Sequence, residues 1–129
     1  MRIRAFAIAL IVALSVGATA GATTLTPLIW GWERFFTVEW QPDSRNGAPY
    51  VSGYVKNDWG MPAANVRLLV EALGPGNQVT AQRVEWLGTM LTPGMRAQFQ
   101  VPAPAPAPAY RVSVFAFDWV QVGGGSDLR

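Results

Sequence analysis

The sequence predicts an all-β protein, a single antiparallel β-sandwich of about seven strands preceded by an export signal. Three observations predict it. Turn-forming residues punctuate the chain about every eight to twelve residues, the rhythm of short strands rather than of helices joined by loops. The segments between them alternate apolar and polar side chains, as half-buried strands do. About 109 residues follow the N-terminal segment, none of them Cys, and that length supports one core without covalent staples.

The first element is an address. Arg2 and Arg4 precede the uncharged apolar run "AFAIALIVALSVGA", and Ala18, Thr19 and Ala20 supply a small-x-small cleavage pattern before Gly21. The run without charge continues to Trp32, so an uncleaved anchor is the alternative, but Thr19, Thr23, Thr24, Thr26 and Pro27 make its second half a poor membrane span. Cleavage is expected, with no stable span left afterwards. The lack of Cys excludes a lipid-attached Cys and disulfides. The protein is therefore expected in the bacterial envelope, periplasmic or secreted. Without Arg2 and Arg4, eight basic residues face eight acidic ones. The basic residues are spread singly, so the clustered phosphate contacts of nucleic-acid binding are not expected. The chain divides into a signal peptide (1–20), an N-terminal extension (21–32), a sandwich domain (33–121) and a flexible Gly-rich tail (122–129).

Within the domain, "RFFTVEW" sets Phe36, Val38 and Trp40 on one face, and "QPDSRNGAP" follows as a turn with Asn46-Gly47 as its source of positive φ. "YVSGYVKN" alternates Val51, Gly53 and Val55 with Tyr50, Ser52, Tyr54 and Lys56. Beyond "DWGMPAA", "NVRLLVEALG" fits two templates. As a helix it is capped by Asn65 and ended by Gly74-Pro75; as a strand it sets Val66, Leu68, Val70 and Ala72 opposite Arg67, Leu69, Glu71 and Leu73. Its short length and its strand neighbours favour the strand. "GPGN" then forms a hairpin loop into "QVTAQRVEWLG", and "TPG" breaks the chain before "RAQFQV", where Ala97, Phe99 and Val101 share a face. Pro alternates with Ala from Pro102 to Pro108, a stiff extended segment that suits a crossover between sheets. A partner that reads polyproline is the sharper alternative. "YRVSVFAFDWV" sets Ser113, Phe115, Phe117 and Trp119 opposite Tyr110, Val112, Val114 and Ala116. Both faces are mostly apolar, which predicts the middle of a sheet.

Gly53, Val55 and Asn57 before a small turn, then "NVRLLVEAL", "GPGN", "LTPGMRAQFQVP" and "YRVSVFAFDWV", resemble the FxLYD-type domains of bacterial envelope proteins. The resemblance covers about residues 33–120 and implies an immunoglobulin- or fibronectin-like sandwich outside the cytoplasm. Near the end, "FAFDWV" with Phe117, Asp118 and Trp119 departs from the eponymous motif. The family pattern carries no catalytic or binding residues, so none transfer.

Chemistry is sparse. Without His or Cys, the commonest general base, the thiol nucleophile and most zinc sites are missing. No Ser stands in a nucleophile elbow or a Ser-x-x-Lys motif. Carboxylates such as Glu39, Asp43 and Asp118 need a cleft to act as a hydrolytic pair, and a minimal sandwich has little chain left to build one. Asn57, Asp58 and Asn65 make no calcium loop. A non-enzyme without a cofactor is expected, an interaction or accessory module meeting another envelope protein through a sheet edge or end loops.

Aromatic residues are the remaining candidates. Trp40 and Trp119 lie in strand patterns and are expected to be structural, whereas Trp30 and Trp32 have packing and partner docking both open to them. Trp59 sits at a turn between Asp58 and Gly60. Exposed, it suits a protein pocket or a sugar face; folded back, it closes the core. The alternative function is thus a carbohydrate-binding module using Trp59 with Tyr50 or Tyr54.

Overall fold

The structure, a computed structural model, describes residues 24–121. The signal peptide (1–20) and the tail (122–129) lie outside the described residues. Strands run β1 (Phe36–Arg45), β2 (Ala48–Asn57), β3 (Ala63–Leu73), β4 (Val79–Trp86), β5 (Arg96–Pro102) and β6 (Ala109–Trp119), with 3-10 turns at Trp32–Arg34 and Pro75–Asn77. They form two antiparallel three-stranded sheets, β1-β2-β5 and β4-β3-β6. The fold is a small β-sandwich, with six strands in the described residues where about seven are expected from the turn spacing.

Apolar alternation builds the core. Phe36, Val51, Val55 and Phe99 from the first sheet meet Val66, Leu68, Val70, Val112, Val114 and Phe117 from the second. The segment at residues 65–73 is strand, because Val66, Leu68, Val70 and Ala72 all face that core and a helix would bury only a stripe. β1 is longer than its apolar run suggests: Gln41 to Arg45 continue the ladder, and the turn is only Asn46-Gly47, both at positive φ. Pro42 is accommodated because β1 is an edge strand. The Pro-Ala segment does carry the chain from β5 in one sheet to β6 in the other. Ala103, Ala105 and Ala107 pack on the core, and the Ala105 carbonyl accepts from the Tyr110 hydroxyl at 2.8 Å.

Two expectations for β6 need correction. It is an edge strand rather than a central one. Its outer face is apolar because chain covers it: the Leu28 N–H donates to the Phe115 carbonyl, and Leu25 exchanges two hydrogen bonds with the Gln82 side chain on β4. Residues 25–28 thus strap the outer face of the second sheet, where Leu69 and Ser113 are buried although they point away from the core. Glu71 is buried there too, accepting from Arg111 at 2.7 Å and Gln82 at 2.8 Å. The faces of β6 also switch midway. A register shift at Phe115 turns Phe117 and Trp119 to the same side as Val112 and Val114, as a bulge does.

The sandwich closes along its β1/β6 side and at one end. Trp40 Nε1 donates to the Tyr110 carbonyl at 2.9 Å. At the end, Asn57 is fully buried; its amide donates to the Met61 and Leu91 carbonyls, and its Oδ1 accepts from the Trp59 N–H. One side chain therefore fixes the β2–β3 turn and the β4–β5 connection together.

Candidate binding face

The strand registers assemble the outer face of the first sheet row by row. Thr37, Lys56 and Arg96 stand side by side, then Glu39, Tyr54 and Gln98, then Gln41, Ser52 and Gln100, then Asp43, Tyr50 and Pro102. Every position in these rows but Pro102 bears a polar group, and the small Ser52 lies between two glutamines. The result is an open trough of about 560 Å³ lined by the outward residues Glu39, Gln41, Ser52, Tyr54, Gln98 and Gln100, together with Trp40, Gly53 and Phe99 between them.

Gly53 sets the shape of this face. A Cβ there would overlap the Glu39 carbonyl oxygen and come within 2.7 Å of the Trp40 Cα. Only glycine lets β1 pass that close. Arginines hold both tyrosines, with the Arg96 guanidinium 4.1 Å from the Tyr54 ring centroid and that of Arg45 5.4 Å from Tyr50. Gln100 Nε2 donates to Asp43 at 3.0 Å, and this bond, with that from the Ser44 N–H, holds the Asp43 carboxyl below its ordinary range.

Of the sequence-derived candidates, Tyr50 and Tyr54 share this face, four residues or about 14 Å apart along β2. Trp59 does not join them. It sits at the end of the sandwich, 44% exposed, with its ring edge-on to Phe35 at a centroid distance of 4.6 Å. It is both folded back and partly open. Phe35, Phe36, Phe117 and Trp119 continue the aromatic cluster beneath it. Trp30 is 90% exposed and Trp86 61%, the latter carrying Arg67 over its ring.

The other polar candidates are engaged apart from one another. Asn57 is spent inside the fold, Asp58 accepts from Thr37, and Asn65 donates to Asp118. Glu71 pairs with Arg111 and Glu85 with Arg83. Among the described residues no helix is long and apolar enough to cross a membrane.

Gln41, Gln98 and Gln100 are missing from the sequence-derived candidates. Alternation alone turns them outward, but only the order β1-β2-β5, in which β5 joins β2 across three intervening connections, brings them together. No protein-family model, curated protein or solved structure matches the chain.

Proposed function

We propose that this chain is an exported, non-catalytic β-sandwich module of the bacterial envelope, of the FxLYD type it resembles, and that it holds an envelope component on the outer face of its first sheet. The observation that carries this reading is the unequal use of the two outer faces. The strap at residues 25–28 crosses the second sheet, while the first carries an uncovered trough walled by hydrogen-bonding side chains. A face whose β1 and β2 strands are held close at Gly53 and whose tyrosines are paired with arginines is preorganised, which lowers the cost of binding.

Fractionation of cells expressing the full chain tests it. The wild-type protein should stay with the envelope fraction after osmotic release, and Ser52→Trp, which fills the trough, should free it. Arg83→Trp, on an exposed position of the second sheet, should not. Equal retention of all three proteins, each folded by circular dichroism, would refute the reading.

A further inference from the structure

We infer that the trough takes an uncharged polyhydroxylated chain, a neutral glycan; this rests on the proposed binding face and names its ligand class. The argument is one of hydrogen-bond chemistry. The walls are the side-chain amides of Gln41, Gln98 and Gln100, with Ser52 and the Tyr54 phenol. Amide and hydroxyl groups present donors and acceptors together, and so does each sugar hydroxyl. Among the described residues, Gln41 and Gln98 have no protein hydrogen-bond partner, so these amides remain available to a ligand.

Other ligand classes fit less well. A protein interface is anchored by apolar or aromatic side chains seated in dry, enclosed pockets, whereas this trough is open and its outward side chains, Tyr54 apart, end in amide, hydroxyl or carboxylate groups. The one charged group within the lining is the Glu39 carboxylate, which has no salt-bridge partner among the described residues and opposes an anion, while the flanking Arg96 guanidinium is stacked over the Tyr54 ring. One carboxylate is too few for a hard cation, which takes six or more oxygens. Tyr54, its ring steadied by Arg96, offers a sugar an amphipathic wall. The length from Tyr54 to Tyr50, about 14 Å, suits an oligosaccharide better than a single sugar.

Calorimetric titration of the exported chain with maltoheptaose, cellohexaose and chitohexaose, each to millimolar concentration, tests the inference. At least one should bind saturably. Gln41→Ala and Gln98→Ala should each weaken it about three- to tenfold, and Ser52→Trp should abolish it. An acidic oligogalacturonate should bind more weakly than the neutral chains, and Glu39→Gln should narrow that gap. The alanine variants lie on exposed positions, so they test the trough even if the Trp variant folds poorly. Absence of binding by all three neutral glycans, or binding unchanged in both alanine variants, overturns the inference. If Ser52→Trp still releases the protein from the envelope, the binding face stands and the glycan assignment alone fails; if it does not, the face itself is wrong.

Discussion

Replacing Asn57 by Leu keeps the branching of a fully buried side chain, with bulkier methyl groups in place of the amide, and removes three hydrogen bonds, to Met61 at 2.8 Å, Leu91 at 2.9 Å and Trp59 at 2.8 Å. Each such bond contributes about 1 kcal/mol net, and a buried group left without a partner costs about 1–3 kcal/mol more. The Leu91 carbonyl keeps a second donor, the Ala63 N–H at 2.9 Å. The Met61 carbonyl and Trp59 N–H are only part-buried, so water can reach them. The expected loss is therefore about 3–5 kcal/mol, a large share of the roughly 5–15 kcal/mol of a small domain. In a thermal melt followed by circular dichroism this lowers Tm by about 12–40 °C. Asn57→Asp supplies a second, signed test. Its carboxylate would face two carbonyl oxygens, which raises its folded pKa above the unfolded value of about 3.9. Stability is then retained below pH 4 and declines as pH rises toward the folded pKa. A Leu variant losing less than about 1 kcal/mol, or an Asp variant as stable at neutral pH as in acid, would refute Asn57 as the tie between the two connections.

Further tests follow from the same geometry. Gly53→Ala forces β1 away from β2 against backbone rather than a yielding side chain, and urea denaturation should report a loss of about 3 kcal/mol or more; a loss below about 1 kcal/mol would contradict the close approach. Glu71→Ala leaves Arg111 and Gln82 without their shared acceptor and loosens the strap, so a loss of about 1–3 kcal/mol is expected, kept to that range by the half-exposed Arg111. Trypsin should also cut the variant sooner at Arg34; unchanged cleavage would separate the strap from Glu71. Asp43 has a depressed folded pKa, so its contribution is complete above its unfolded value and is lost as pH falls through the folded one. Its carboxyl carbon should titrate below the ordinary aspartate range by nuclear magnetic resonance, and Gln100→Ala should move it upward; no movement would remove Gln100 as the cause.

Much of the fold was legible because local pattern and burial agree. Val51 and Val55, Ala97 to Val101, and Val66 to Ala72 alternate in sequence and face the core in space. The alternating prolines donate no ladder bonds, which favours a crossover between sheets, and the segment makes that crossover. What could not be read was set by distant chain. β6 is apolar on both faces, the signature of a central strand, yet a strap more than eighty residues away in sequence supplies its cover. The switch of Phe117 to the core follows a register shift that no period-two rule contains. Asn57 was visible only as a polar residue beside a turn; its burial depends on Leu91, thirty-four residues on. Tyr50 and Tyr54 were found because they alternate on one strand. Trp59, grouped with them by proximity in sequence, belongs to the aromatic end cluster through Phe35. The glutamines of the trough come from two strands that share no sequence neighbourhood.

Hydroxyl-radical footprinting of the purified chain, alone and with isolated envelope fragments, tests the binding face most directly, because Tyr and Trp side chains report from each end and face of the domain. The account predicts slower oxidation of Tyr54 and Tyr50 in the presence of envelope, with Trp30, Trp59 and Trp86 unchanged. Protection of Trp30, Trp59 or Trp86 with Tyr50 and Tyr54 unaffected would place the contact elsewhere and contradict it.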